Sequence, residues 1–478
     1  MNATKQIPGF SSARRDALRH LGALGALGLV PALAGRLGGE AQAAGASSYR
    51  ALVCVFLFGG NDGNNLVVPT DTAGYAAYLA ARGGVVGTPG NGALALPAAG
   101  STGGVLPLNG VSYGLHPSMP ELQTLWNSGN VALLFNVGAL VMPITTAQYA
   151  ASSTDPAVVP QSLFSHYDQQ RQMQSTSLPD YPATGWAGRM ADALAAGSTA
   201  IPPCISAAGN AVFLAGASST PIVVPQSGTL SYNGYNGTAI ANARLAALQQ
   251  LFATGTDALM MPAVGNLQAQ AIATANTLGP VLSGTSGLAS SFPTTNGSLS
   301  ALSQQLLQVA RLIQAASTGA IAAPQQQIFF VDLQGFDTHN DQLNRQAPLL
   351  AELSASLSGF YSAMTTLGLQ NNVLAFTLSD FARTLKPASG GGSDHAWGSH
   401  HIVVGGTGAV KSGLYGTFPT LQIGGPSDVS QEGRWLPTTS IDQYGATLGK
   451  WLGLTPAQLA TALPNLANFP VTDLGFLA

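Results

Sequence analysis

The chain has 478 residues, a formal net charge of −3 and only 8% charged side chains. With 17 basic against 20 acidic residues, the composition argues against a nucleic-acid-binding protein, which would need clustered Lys and Arg. Two cysteines are too few for a disulfide framework, and whether Cys54 and Cys204 pair in an oxidising compartment is left open.

Residues 1–43 are predicted to be an export signal. Arg14 and Arg15 precede a weakly apolar run over residues 21–33, and an Ala-Gln-Ala cleavage site ends the segment. Paired arginines indicate the twin-arginine route, so we expect a periplasmic or secreted protein. The alternatives are an ordinary secretory signal or a membrane anchor, but the run is shorter than the roughly 20 apolar residues that span a bilayer. We expect no membrane span in the mature protein.

Four apolar runs predict strands that are buried on both faces, as in a parallel sheet. Helical spacing of apolar residues lies between them, which is typical of an α/β fold with a mostly parallel central sheet and helices on both faces. The predicted strands are 49–58, 131–137, 328–333 and 373–378, and the helical patterns cover 302–313 and 350–364.

Residues 44–478 are predicted to form one α/β domain with an insertion or cap. The segment 208–300 differs from the rest because it is rich in Ala, Gly, Ser and Thr, and it contains turn signals such as Asn-Gly. We expect some helix within it, over 245–252 and 266–278.

Candidate metal ligands follow three of the predicted strands. Asp62 follows the first strand, Asp337 and His339 follow 328–333, and Asp380 follows 373–378. Parallel strands end at the same edge of a sheet, where open α/β sheets place their sites, so we expect these side chains to converge. The alternative for Asp62 is a turn in which Asp and Asn bond only to nearby backbone.

A histidine-rich segment follows the last of these strands. Asp394, His395, His400 and His401 lie within eight residues, and carboxylate with imidazole suits a divalent metal ion. We take Asp394 and His395 as the candidate ligands there. Arg383 is a candidate for binding a phosphate or sulfate oxyanion, and the alternative is a surface ion pair with Asp380.

Several motifs in a fixed order carry a family resemblance. The stretches GGNDGNN, GFDTHNDQ, SDFART, GSDHAWGSHH and LPTTSIDQYGATLGKWLG resemble the exported bacterial family catalogued as domain of unknown function 1501. The match runs from about Ala51 to the C-terminus and is weakest over 208–300. That family in turn resembles the alkaline-phosphatase and sulfatase superfamily, which implies an alkaline-phosphatase-like fold.

The resemblance also implies an order of roles along the chain. Ser165, in an LFSHY segment, stands where the family has a Ser-His-aromatic segment, which implies a serine nucleophile. The alternative interpretation of Ser165 is that it caps the helix that follows it. Phe381 stands where the superfamily has a histidine after the strand-end aspartate, which implies that one metal position is altered. The implied ligands, in order, are Asp62, Asp337, His339, Asp380 and His395.

We therefore expect a metal-dependent hydrolase of phosphate or sulfate esters that acts on a small-molecule or glycan-linked substrate. Zinc is the first choice of metal, with calcium, magnesium or manganese as alternatives. The alternative function is a non-catalytic surface or periplasmic protein that binds or assembles and keeps the fold. A serine esterase, suggested by Gly60-Asn61-Asp62, lacks a suitable serine before residue 59.

Changing Arg14 and Arg15 together to Lys is expected to leave the precursor in the cytoplasm, because the twin-arginine pair is read as an address. Fractionation and immunoblotting of cells measure this. Normal export of the double variant would contradict the assignment.

Overall fold

A computed structural model describes residues 49–152, 154–176, 182–194, 201–231, 237–254 and 260–478. The predicted export signal over 1–43 lies outside these ranges and stays a prediction. Within the described ranges, no helix has both the length and the apolar character that crossing a membrane requires.

The strands of the described residues form one large sheet and two small ones. The large sheet has nine strands in the order β13-β5-β12-β11-β1-β10-β6-β7, with β14 beside β5. The strands are β1 (Arg50–Phe58), β2 (Val67–Pro69), β3 (Leu106–Pro107), β4 (Tyr113–Leu115), β5 (Val131–Gly138), β6 (Cys204–Ser206), β7 (Ile222–Val223), β8 (Thr294–Thr295), β9 (Ser298–Leu299), β10 (Gln326–Gln334), β11 (Val373–Ser379), β12 (Ser399–Val404), β13 (Gly413–Gly416) and β14 (Thr439–Ser440).

The large sheet is mostly parallel, which confirms that part of the prediction. β1 pairs in parallel with both β10 and β11, and β10 continues in parallel to β6. β12 runs antiparallel between β11 and β5. The four strands predicted from apolar runs are therefore β1, β5, β10 and β11, and each observed boundary lies within two residues of its prediction.

The helices of the described residues cover the sheet. Two long ones, α9 (Ala301–Ser317) and α10 (Gln342–Thr366), were predicted from the spacing of their apolar residues. Ser300 caps α9 by accepting a hydrogen bond from the backbone of Ser303. The helices are α1 (Gly63–Leu66), α2 (Thr72–Ala81), α3 (Pro120–Asn127), α4 (Thr146–Ser152), α5 (His166–Ser175), α6 (Trp186–Leu194), α7 (Ala239–Thr254), α8 (Met260–Ser283), α9 (Ala301–Ser317), α10 (Gln342–Thr366), α11 (Ile441–Leu452) and α12 (Pro456–Ala462).

Alternation along β1 divides the core into two layers. Val53 and Val55 belong to an apolar cluster that includes residues of α9 and α10. Leu52 and Phe56 belong to a second cluster that includes residues of α6 and α11. Since successive side chains on a strand point to opposite faces, β1 is buried on both. Each fully buried side chain of this kind stabilises the fold by about 1.5–3 kcal/mol.

The segment 208–300 contributes to two parts of the structure. β7 extends the edge of the large sheet by pairing with β6, and the helices α7 and α8 pack against each other, with α8 also against α9. Both helices are longer than predicted. The interpretation of this segment as an insertion or cap stays a prediction.

The two cysteines are free and buried. Cys54 on β1 is aligned with Phe330 on β10, and Cys204 lies on β6, beyond β10. Two strand spacings are about 9–10 Å, whereas the Cα atoms of a disulfide lie less than about 7 Å apart. Residues 54 and 204 therefore do not form a disulfide in this fold.

Asp442, at the first turn of α11, is fully buried. Burial raises the pKa of its carboxyl to about 7, although a hydrogen bond from Ser440 opposes the rise. The folded protein therefore keeps a proton that the unfolded chain releases above its ordinary pKa of about 4. The uptake of this proton by the folded state contributes fully to the free energy of unfolding below pH 4, and this contribution is lost as the pH rises through the folded-state pKa of about 7.

The substitution Asp442→Asn removes this titration. We expect the free energy of unfolding of the wild type, relative to the variant, to fall by up to about 1.4 kcal/mol per pH unit between pH 4 and 7 and then to level off. Urea unfolding of both proteins across this range measures it. A difference that stays constant with pH would show that Asp442 is ionised in the folded protein.

Candidate functional site

The carboxyl ends of three neighbouring strands deliver aspartates to one edge of the sheet. Asp62 follows β1, Asp337 follows β10, and Asp380 follows β11, on the two sides of β1. Gly59 permits the close approach of the first two loops: its φ is +110°, and a Cβ there would lie 2.4 Å from the backbone nitrogen of Asp337.

Asp337 is the centre of the site. Its Oδ1 accepts a hydrogen bond from Nη1 of Arg383 at 2.7 Å and lies 2.9 Å from Nε2 of His339. The same oxygen lies 3.5 Å from Nε2 of His166 and 3.4 Å from Nε2 of His395. One carboxylate oxygen therefore faces three imidazole nitrogens. The Asp337 side chain is 45% exposed, so the cluster opens to solvent.

Each of these three imidazoles contacts a second partner through its Nδ1 atom. Nδ1 of His166 lies 2.8 Å from Oδ2 of Asp380, and Nδ1 of His339 lies 3.2 Å from Oδ1 of Asp394. Nδ1 of His395 lies 2.7 Å from the backbone oxygen of Phe164. The backbone oxygen of Phe164 only accepts hydrogen bonds, and so does the Asp380 carboxylate when it is ionised, so Nδ1 carries the proton in the neutral rings of His395 and His166. His339 faces a carboxylate oxygen with each of its ring nitrogens.

The surroundings shift the pKa values within the cluster. The hydrogen bond to Asp380 raises the pKa of His166, against the effect of burial. Burial lowers the pKa of His395. Burial acts to raise the pKa of Asp337, but the hydrogen bond and charge of Arg383 outweigh it and leave the pKa below its usual range. Asp337 is therefore an anionic group among imidazoles.

Asp62 lies in a separate buried network. Its carboxylate forms an ion pair with Arg82 and accepts hydrogen bonds from Gln342 and from the backbone of Asn64, and both charged side chains are fully buried. The turn interpretation of Asp62 describes part of this arrangement, since the aspartate caps α1. The structure does not bring Asp62 into contact with the imidazole cluster.

Arg383 is fully buried and lies behind Asp337. Besides Asp337, it donates hydrogen bonds to the hydroxyl and the backbone oxygen of Ser393 and to the backbone oxygen of Gly59. The alternative of a surface ion pair with Asp380 is wrong, because both side chains are buried and Arg383 pairs with Asp337 instead. Its predicted contact with a substrate oxyanion stays a prediction.

Ser165 occupies the N-cap of α5. Its hydroxyl accepts a hydrogen bond from the backbone of Asp168 and lies 2.6 Å from Oδ2 of the same residue. The structure thus shows the capping role, and His166, the next residue, enters the cluster.

The remaining histidines of the C-terminal segment lie elsewhere. His400 and His401 are on β12 and are completely buried, and burial lowers the pKa of each to about 3. Rings of Phe135 and Phe418 pack against His400. These two imidazoles are neutral packing groups, and within this segment only Asp394 and His395 reach the cluster.

Sequence reasoning missed His166 and Gln170. They lie one turn apart on α5, and both contact the same buried oxygen of Asp380. The available signal was the rarity of histidine: His166 stands directly after Ser165, and the spacing of four residues places Gln170 on the same helix face.

The cluster fits a divalent cation. Oδ1 of Asp337 and ring nitrogens of His166 and His395 all lie within 4.8 Å of one another. Bonds of about 2.0–2.1 Å in a tetrahedron place ligand atoms about 3.3 Å apart, close to the separations from Asp337. Nε2 of His166 is buried and has no hydrogen-bond partner among the described residues, so it is a polar atom that a bound ion would satisfy.

Comparison with known proteins identifies the family. The family described as "Protein of unknown function (DUF1501)" matches residues 49–455, so the chain belongs to it. No curated protein matches the chain.

Two solved structures are similar at a low level. "Crystal structure of Ps i-CgsB in complex with k-i-k-neocarrahexaose" and "Crystal structure of Ps i-CgsB" each show 9% identity and a TM-score of 0.35 over 88% of this chain, and the matches cover 76% and 77% of those chains. A likeness of this size supports no conclusion about the fold or function of this protein.

Breaking the Asp62–Arg82 pair is expected to destabilise the protein. Arg82→Met leaves a buried carboxylate without its counter-charge and should lower the free energy of unfolding by about 3–5 kcal/mol, measured by urea unfolding. The double variant Arg82→Met, Asp62→Leu is the control, since it removes both charges and should recover much of the loss. Equal stability of the single variant and the wild type would show that Asp62 is not ionised there.

Proposed function

We propose that the protein is an exported hydrolase of phosphate or sulfate esters that uses a bound divalent metal ion, built on an alkaline-phosphatase-like fold. The observation that carries this proposal is the convergence of Asp337 Oδ1 with Nε2 of His166 and His395 at the carboxyl edge of a mostly parallel sheet. Such an edge is where open α/β sheets bind substrates.

Two imidazoles and one carboxylate are the ligand set of catalytic zinc sites, which keep a further position open. A bound divalent ion there would polarise the ester and stabilise charge that develops on its oxygens. The cluster opens to solvent, since the Asp337 side chain is 45% exposed and that of His339 44%. The open side lies next to His339 and Asp394, so a substrate would approach across them.

Ser165 is the proposed nucleophile, as the family resemblance implies. Its hydroxyl lies 2.6 Å from the carboxylate of Asp168, within reach for proton transfer. An adjacent base is one of the ways in which a serine becomes nucleophilic. Ser165 would attack the phosphorus or sulfur centre and transfer its proton to Asp168, while the bond to the leaving group breaks and that group departs as its alkoxide, which takes up a proton from water. The covalent ester that remains is then hydrolysed by water, which regenerates the serine.

The main test separates the nucleophile from the helix cap. Asn caps a helix as well as Ser does but has no hydroxyl, so Ser165→Asn should keep the melting temperature. If Ser165 is the nucleophile, the variant should lose more than about 1000-fold in kcat on an activated aryl phosphate or sulfate. Ser165→Ala is the companion variant, which should lose both activity and about 1 kcal/mol of stability. Full turnover by Ser165→Asn would limit this residue to its capping role.

Metal dependence is tested with the same substrates. Chelator-treated protein should be inactive, and stepwise return of Zn²⁺, Mn²⁺, Mg²⁺ or Ca²⁺ should restore turnover with at least one ion. Absence of turnover with every ion, while binding persists, would favour the second candidate function.

That second candidate is a surface or periplasmic binding or assembly protein. It is favoured by His339, whose Nε2 lies 2.9 Å from both Asp337 Oδ1 and His395 Nε2. With His339 as a fourth protein ligand the coordination of zinc would be closed, and closed tetrahedral sites are structural. A protein that contains metal but hydrolyses none of a broad panel of esters is the result expected for this second function.

A further inference from the structure

The carboxylate of Asp380 accepts three hydrogen bonds from protein donors. Its Oδ2 accepts hydrogen bonds from Nδ1 of His166 at 2.8 Å and from Nε2 of Gln170 at 2.7 Å. Its Oδ1 accepts a hydrogen bond from the backbone of Gly59 at 3.2 Å. The side chain is completely buried. Oδ2 cannot bind an ion without giving up hydrogen bonds, and each lost bond would leave a buried donor unsatisfied.

Asp380 fixes the tautomer of His166. Because an ionised carboxylate only accepts hydrogen bonds, Nδ1 of the neutral ring must carry the proton and Nε2 must present a lone pair. That lone pair is buried and lacks a hydrogen-bond partner among the described residues. It lies 3.5 Å from Asp337 Oδ1, which is also an acceptor.

His395 is fixed in the same way by the backbone. Its Nδ1 faces the carbonyl oxygen of Phe164 at 2.7 Å, so its Nε2 also presents a lone pair, 3.4 Å from Asp337 Oδ1. Acceptor positions on two imidazoles and a carboxylate oxygen thus face one another. Arg383 and His339 lie against Asp337 Oδ1, and His339 also lies against Nε2 of His395, but Nε2 of His166 has no hydrogen-bond partner in the described part of the chain, and a cation between the three acceptors would satisfy it. In metal sites, a hydrogen-bond acceptor at the ring nitrogen that does not bind the ion fixes the orientation of the imidazole, as Asp380 and the Phe164 carbonyl do here.

The ring of Phe381 occupies the remaining side. Its centroid lies 4.7 Å from that of His166 and 4.6 Å from that of His395. Phe381 stands where the resemblance to the alkaline-phosphatase and sulfatase superfamily implies a histidine. His166, from α5, therefore supplies an imidazole next to Phe381, where the loop after β11 contributes only an apolar ring.

We propose that Asp380 is a positioning residue and that His166, which it orients, is the third protein ligand of a single divalent ion, together with Asp337 and His395. This rests on the metal dependence in the proposed function and replaces Asp62 and Asp380 as ligands. The donor set is two imidazole nitrogens and one carboxylate oxygen, which suits zinc.

The tautomer is tested without any substitution. In metal-free protein labelled with ¹⁵N-histidine, at a pH where the rings are neutral, His166 should show a protonated Nδ1 and an unprotonated Nε2, the minor form in water. Addition of ¹¹³Cd²⁺ should then produce coupling between cadmium and Nε2 of His166 and His395. A cadmium-bound protein in which the His166 signals do not change would overturn the proposal.

Variants separate positioning from ligation. Asp380→Ala should lower zinc affinity by about 10–100-fold, which is the usual effect of losing an outer partner, and should shift His166 toward the Nε2-protonated tautomer. Asp380→Asn keeps an acceptor for His166 and should retain the tautomer and most of the affinity. His166→Ala should lose more affinity than Asp380→Ala, because it removes a bond to the ion.

Gln170→Ala is the matched control, since it removes the other donor to the same oxygen and leaves the His166–Asp380 contact intact. It should keep the tautomer and the affinity. Melting temperatures of all variants show which of them remain folded, and if Asp380→Ala does not fold, Asp380→Asn and the unsubstituted protein still decide the question. Equal zinc affinity in His166→Ala and the wild type would overturn the ligand assignment.

These measurements are independent of turnover. Protein that binds cadmium through His166 but hydrolyses no ester would contradict the proposed function and leave this inference standing. Ester hydrolysis by a protein whose zinc is bound through Asp380 would contradict this inference and leave the proposed function standing.

Discussion

The constraint on which the site depends is the delivery of three carboxylates to one edge of the sheet. Asp62, Asp337 and Asp380 follow the adjacent strands β1, β10 and β11, and neighbouring strands lie only about 4.8 Å apart. Like charges brought to one edge of a sheet repel, and a buried carboxylate without compensation costs several kcal/mol. The surrounding side chains are therefore arranged around the neutralisation of these groups.

The three carboxylates are compensated in different ways, and this separates their roles. Asp62 has a permanent counter-charge in Arg82, and Asp380 is surrounded by neutral hydrogen-bond donors. Asp337 has Arg383 on its inner side, but its outer side meets only imidazoles and solvent. Asp337 is consequently the aspartate of the three that a cation can reach from solvent, since the other two are fully buried, and α5 supplies the additional donor through His166.

Much of the fold followed from sequence because its signals were local. Runs such as 373–378 are apolar at every position except Thr377, which favours a strand buried on both faces, and the strand-end rule then placed Asp337 and Asp380 at the same edge. The antiparallel direction of β12 carried no local signal. The distinction between ligand and support also depends on distant partners: Arg82, 20 residues after Asp62, and Gln170 facing Asp380 are contacts that spacing does not reveal. His166 was noticed only as a neighbour of Ser165, because its role depends on where α5 begins.

We propose that one divalent ion binds at Asp337 through imidazoles that are oriented by their outer hydrogen-bond partners. The anomalous difference density of zinc-loaded crystals, collected on both sides of the zinc absorption edge, tests this binding directly. One peak is expected, about 2.0–2.2 Å from Nε2 of His166, from Nε2 of His395 and from a carboxylate oxygen of Asp337. A peak bound to Asp62 or Asp380, or a second peak between them, would contradict it.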